Sequence, residues 1–196
     1  MEEQMDEKQS LHIITQMISK AKNNLGNNSF YFLLWGWAVF LTAIAHYILL
    51  VGQWKWHFLP WPIGMTVTAL ISIVYSYREG KNKKAKSYLD KFLETLWICT
   101  TVCIVLVLAI ITKIADFRAS YAALMILYGL GTVITGSIIQ FRPLVIGGVI
   151  IWCCAASLIW LNFPDALLAL AVSVLAGYII PGYLLRAKRE RKLQTA

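Results

Sequence analysis

Six long apolar runs, none carrying a charge at its centre, govern what this chain can become. They span residues 30–51, 58–77, 92–112, 119–140, 144–161 and 166–185. At 1.5 Å of rise per residue, a helix through each is about 27–33 Å long, which matches the hydrocarbon thickness of a bilayer. Lipid offers no partner to a backbone N–H or C=O, so such runs fold as helices that close these groups on themselves. The fold class read here is all-α: a polytopic transmembrane six-helix bundle of three sequential hairpins. The breaks agree with it. Pro60 and Pro62 open the second run, Pro143 opens the fifth, and Asn162-Phe163-Pro164-Asp165 separates the last two. Proline suits a first helical turn because its missing N–H would be unpaired there anyway.

Charge placement supplies the topology. The chain carries 18 Lys and Arg against 10 Asp and Glu, a net charge of +8. The basic residues flank the apolar runs, so they point to membrane topology and exclude nucleic acid as the expected partner. With a cytoplasmic N-terminus and six spans, fifteen basic residues fall inside and only Lys55, Lys113 and Arg118 outside. An odd number of spans would send the basic tail to the wrong face. The reading is therefore an N-terminal segment 1–29, a six-span domain 30–185 and a basic cytoplasmic tail 186–196. The expected address is a cell membrane, in the first instance the bacterial inner membrane. Aromatic residues collect at the expected interfaces. Trp54, Trp56, Phe58 and Trp61 surround the first outer turn, while Phe30, Tyr31, Tyr75 and Tyr77 stand at the inner side.

Residues 1–9 are acidic and lack the basic start of a signal peptide; the first apolar run is too long for a cleaved core and is expected to remain as an anchor. From Ser10 a helical period appears in Leu11, Ile14, Ile18, Ala21 and Leu25, which predicts a short amphipathic helix on the membrane or against a partner.

Candidate functional groups are sparse. His46 is the one imidazole within a run and lies near its outer end, where a hydrogen bond to neighbouring backbone is the expected role. Glu94 sits about a turn into the third run, near the inner face. Gly131, Thr132, Thr135 and Gly136 in the fourth run, with Ala169, Ser173 and Gly177 in the sixth, form small-residue faces for close helix packing. Pro181, with Gly177 and Gly182, is expected to pack or end the sixth helix. Arg78, Lys81, Lys83, Lys84, Lys86, Arg186, Lys188 and Arg189 are placed to meet anionic lipid headgroups. Cys99, Cys103, Cys153 and Cys154 lie within apolar runs and read as small hydrophobic residues, so no metal or cofactor is expected. Hydrolase, metalloprotease and phosphate-loop motifs are missing. The first expectation is a non-enzymatic interaction, regulatory or accessory subunit working through the bilayer, self-association or another membrane protein. The alternative is a small-solute or ion channel or transporter, for which Thr42, Thr66, Thr68, Thr100, Thr101 and Thr135 would be the lining. An intramembrane enzyme comes third.

Overall fold

A computed structural model describes residues 29–82, 88–114 and 117–194, and every regular element among them is helical. The elements are α1 (Ser29–Val51), α2 (Pro60–Asn82), α3 (Tyr88–Ile114), α4 (Phe117–Ile138), α5 (Arg142–Ser157) and α6 (Phe163–Val174). A π-helical turn, Leu175–Ile179, joins α6 directly to α7 (Ile180–Gln194). The expected amphipathic helix near residues 10–25 lies outside the described residues, as do Lys83, Lys84 and Lys86.

Four helical stretches are long and apolar enough to cross a membrane: Ser29–Val51, Lys91–Ile110, Ala119–Ile138 and Phe163–Lys188. α2 has the length at 23 residues, but Pro60, Pro62, Gly64, Thr66, Thr68 and Ser72 dilute its apolar content. The expected fifth span, 144–161, is shorter than drawn. α5 stops at Ser157, whose hydroxyl donates back to the Cys154 carbonyl at 2.7 Å. Tighter bonds three residues apart then carry the chain through Leu158, Ile159 and Trp160.

The sixth segment and the tail differ from the expectation in the opposite sense. Pro181 does not end the helix. Its ring would collide with the carbonyl four residues back, and the widened turn just before it relieves that crowding. The Ile180 N–H accordingly reaches back five residues to the Leu175 carbonyl. Beyond it α7 continues unbroken through the basic residues to Gln194, because Leu, Arg, Lys and Glu all favour helix. Arg186 Nε donates to Glu190 Oε1 at 3.0 Å one turn on, an exposed pair that adds a few tenths of a kcal/mol at most.

Packing is organised around α6. α4 lies along α5, α1 along α6, and α5 against α6 and the π turn. α2 rests on α1, and α3 on α4. Consecutive α2 and α3 share no extended interface, so the hairpins are not laid side by side in chain order. Side-chain contacts gather several of the basic residues. At one end Phe30 stacks on Tyr75 at 3.9 Å, Trp37 Nε1 donates to the Tyr183 hydroxyl at 3.3 Å, and Lys188 Nζ stands 5.4 Å over the Phe141 ring. Arg78, Arg142, Arg186 and Lys188 therefore share that end.

The seams close through small residues. A Cβ on Gly147 would meet the Gly177 Cα at 2.8 Å and the Ala176 carbonyl at 3.0 Å. A Cβ on Gly148 would meet the Gly129 carbonyl at 3.1 Å, and Trp152 Nε1 donates to the Ile126 carbonyl at 3.1 Å, pinning α5 on α4. Thr132, Thr135, Gly136, Ser173 and Gly177 are buried in these seams, Gly131 is buried beneath the Trp97 ring, and Ala169 is half-buried. The turns leaving α1 and α4 are alike. Trp54 N–H bonds Leu49 O and Gln53 N–H bonds Leu50 O; Phe141 N–H bonds Gly136 O and Gln140 N–H bonds Ser137 O. This paired closure puts Gln53 (φ 56°) and Gln140 (φ 53°) in the left-handed region that glycine fills most easily.

Three outcomes follow for thermal unfolding in detergent. Gln140→Gly should raise the midpoint, by up to about 1 kcal/mol of relieved backbone strain. Gly147→Ala should lower stability by about 1–3 kcal/mol, because backbone stands where the methyl must go. Gly131→Ala, whose Cβ would make ordinary contact with the Trp97 ring edge at 3.4 Å and Thr100 Oγ1 at 3.7 Å, should be close to neutral.

Candidate functional site

The buried polar side chains among the described residues are hydroxyls with one imidazole: Ser29, Thr42, Thr68, Thr100, Ser120, Thr132, Thr135 and Ser173, and His46. Most of the hydroxyls are occupied locally. Thr42 donates to Ala38 O at 2.8 Å, Thr68 to Gly64 O at 2.7 Å, Thr100 to Leu96 O at 2.9 Å. Thr132, Thr135 and Ser173 likewise donate to Tyr128, Gly131 and Leu170 carbonyls on their own helices. A Thr that satisfies itself this way presents a methyl to its neighbours. Thr66 and Thr101, the other candidate lining residues, are exposed on the outer surface of the bundle.

His46 is different. It lies one and a half turns before the end of α1 and is only 4% exposed. Trp61, in the first turn of α2, donates its Nε1–H to His46 Nδ1 at 2.9 Å. An indole nitrogen can only donate, so Nδ1 is the acceptor and the neutral ring carries its proton on Nε2. That proton points at His57 Nδ1, 3.0 Å away. The two imidazole planes are 9° apart with centroids at 5.1 Å, so the rings meet edge to edge in nearly one plane. An N–H in the ring plane then aims straight at the partner's lone pair. His57 in turn must hold its own proton on Nε2.

Three further elements enclose the pair. The Tyr121 hydroxyl of α4 comes to 3.4 Å from His46 Nδ1. Phe163, at the start of α6, stands with its ring 6.0 Å from His46 and 5.9 Å from Tyr121. Trp61 and Tyr121 rings lie 6.0 Å apart. One cluster thus ties α1, the first turn, α2, α4 and α6 together. Its partners are side chains, where a backbone partner was the sequence expectation. His57 was passed over because it falls in an aromatic-rich turn. The available signal was spacing, since a short turn after Val51 returns the chain to the level of His46.

A second cluster fills the opposite half of the bundle. The Tyr178 ring, on the π turn, is 5.7 Å from Phe32, 6.3 Å from Trp97 and 6.0 Å from Tyr128. Gly36 lets α1 approach this ring, which accounts for the glycine between Trp35 and Trp37. Trp37 faces outward. Glu94, Arg78, Arg186 and Lys188 are exposed at the basic end; of Lys81 and Arg189 the structure describes the helical backbone. The four cysteines stand apart from any metal-ligand cluster, and among the described residues no group of three or more His, Cys, Asp or Glu converges.

No family model, curated protein or solved structure matches the chain.

A double-mutant cycle of Trp61→Phe and His46→Phe should give a coupling of about 1–2 kcal/mol, because the lost ring area cancels and the hydrogen bond remains. A coupling near zero in chemical or thermal unfolding would remove the tautomer assignment.

Proposed function

We propose that the chain is a six-span membrane protein with both termini in the cytoplasm, acting without catalysis as an interaction, regulatory or accessory subunit. The observation that carries this is the state of the interior. Its seams are closed at backbone distance, and most of its buried hydroxyls are spent on their own helices. What is left to do work is the outer surface. α2 and α3 present Ile63, Val67, Leu70, Ile71, Ile98, Val102 and Val105 outward, and the basic end presents Arg78, Arg142, Arg186 and Lys188. The apolar flanks suit lipid or the helices of another membrane protein, and the basic end suits anionic headgroups.

Topology supports the assignment of sides. Basic residues at the end of α2, the start of α5 and the start of the α7 extension fall together, and the positive-inside preference places that end in the cytoplasm. The channel reading is the weaker one. Thr42, Thr68, Thr100 and Thr135 come from four different helices and turn their hydroxyls into their own backbones.

Purified protein in liposomes should pass neither protons, monovalent cations nor glycerol above the protein-free background. The full chain, solubilised gently and cross-linked in its native membrane, should bring down another membrane protein, and deleting residues 10–25 should weaken that capture. Flux that saturates with solute and disappears in Thr135→Val would replace this reading with the channel.

A further inference from the structure

We propose that the His46–His57 pair is a proton-binding latch that fastens the first turn to the bundle when both rings are neutral and releases it on taking up one proton. The argument is a count of ring nitrogens. His46 Nδ1 accepts from Trp61, His46 Nε2–H donates to His57 Nδ1, and His57 Nε2 carries the remaining proton. Both lone pairs are in use. A further proton on His46 Nδ1 would set it donor to donor against the Trp61 N–H at 2.9 Å. A further proton on His57 Nδ1 would set it against the His46 N–H at 3.0 Å. Either way a bond of the cluster breaks.

Geometry selects which ring leaves. His46 is enclosed, while His57 is half-exposed on a turn and can swing its ring into water with the charge on it. Between Gly52 and Leu59 every residue but His57 is exposed, including Trp54 at 65% and Trp56 at 57%. His57 is therefore the side chain by which this turn reaches the interior. The turn's own bonds, from His57 N–H to Trp54 O and Leu59 N–H to Trp56 O, hold its shape without holding it to the bundle. The group that faces the pair from α4 is Tyr121, which titrates far above the histidine range when free. From α2 and α6 it is Trp61 and Phe163, which do not titrate. Lys55 and Asp165, the charged side chains described in the neighbouring turns, are exposed. Among the described residues the imidazole pair is thus the element of this cluster built to take up a proton on acidification. The sign is fixed: closed at the alkaline end, open at the acid end. The latch stands independently of any partner, so its failure would leave the interaction reading intact.

The test uses the full chain in nanodiscs. Hydrogen exchange of the amides of residues 53–59, corrected for intrinsic rates, should show protection falling about tenfold from about pH 8 to about pH 5, the scale of one lost hydrogen bond. His57→Gln should be equally unprotected at both, and His57→Phe serves in its place if the glutamine variant does not fold. Nitrogen-15 spectra of labelled histidine at the alkaline end should show both rings of the pair protonated on Nε2 with Nδ1 accepting a hydrogen bond, a signature lost from both in His46→Phe. Flat protection in the wild type, an equal fall in the His57 variant, or a His46 proton on Nδ1 would each overturn the latch.

Discussion

Backbone-to-backbone contact between α5 and the π turn, at Gly147 and Gly177, is the constraint on which the rest of this molecule depends. The outer surface carries Leu41, Ile48, Ile73, Ile98, Val105 and Ile110 more than half exposed, and such a surface calls for an apolar solvent. In that solvent helices gain nothing by hiding aliphatic side chains from one another. What draws them together is van der Waals contact, and its yield falls within fractions of an ångström of separation. Small residues at crossings are therefore structural members in their own right. Gly36 under Tyr178, and Gly129 beside Gly148 with Gly136 against Leu144 and Val145, extend the same device to two more crossings, α1 on the π turn and α4 on α5. With α5 only 16 residues long, seam quality has to stand in for seam length.

Polar groups obey a related economy. A hydroxyl that returns to its own helix carbonyl removes itself as a demand on neighbours, which is why so many Thr and Ser fit the interior. His46 cannot do this. Its two nitrogens lie in a rigid ring pointing away from α1, and both must find partners elsewhere. It recruits Trp61 and His57, with Tyr121 close by, and so joins parts of the chain that backbone packing leaves separate. α1 and α4 share no extended interface, yet Tyr121 reaches His46 across the gap at this end. At the opposite end the Phe32 ring meets Trp97 of α3 at 6.2 Å. Long aromatic side chains do there what close backbones do in the seams.

Helical class, the long apolar runs and the shared end of the basic residues were legible in the sequence, because each is written in composition over many residues. The local departures were not. Pro181 reads as a stop, and only its burial where α7 packs on α1 and α5 shows that the helix gains by bulging and continuing. Ser157 reads as one more small residue in an apolar run, and its bond to Cys154 O, where α5 tightens, depends on a rotamer. His46 was visible and its partners were not. A hydrogen bond between residues 11 apart requires knowing that Gln53 turns left-handed and folds the chain back. Pairwise order, with α4 on α5 and α2 apart from α3, is likewise set by which faces fit, and periodicity alone does not rank faces.

Width of the buried stripe decides which helices are central. α3 buries Leu93 and Thr100 with Trp97 between them, a single line at steps of four and three, and so it has one extended interface, with α4. α2 does the same through Thr68, flanked by Met65 and Ser72. α6 buries Ala166, Leu167, Leu170, Ala171, Ser173 and Val174, most of its circumference, and is held from several sides. A helix fixed along one line can tilt at the expense of one interface, whereas a helix buried nearly all round cannot move without disturbing them all. The first turn joins these two kinds of helix, since it connects α1, locked on α6, to α2. The histidine pair therefore sits at the joint between the rigid and the yielding part of the fold, where a single bond can change how freely α2 follows α1.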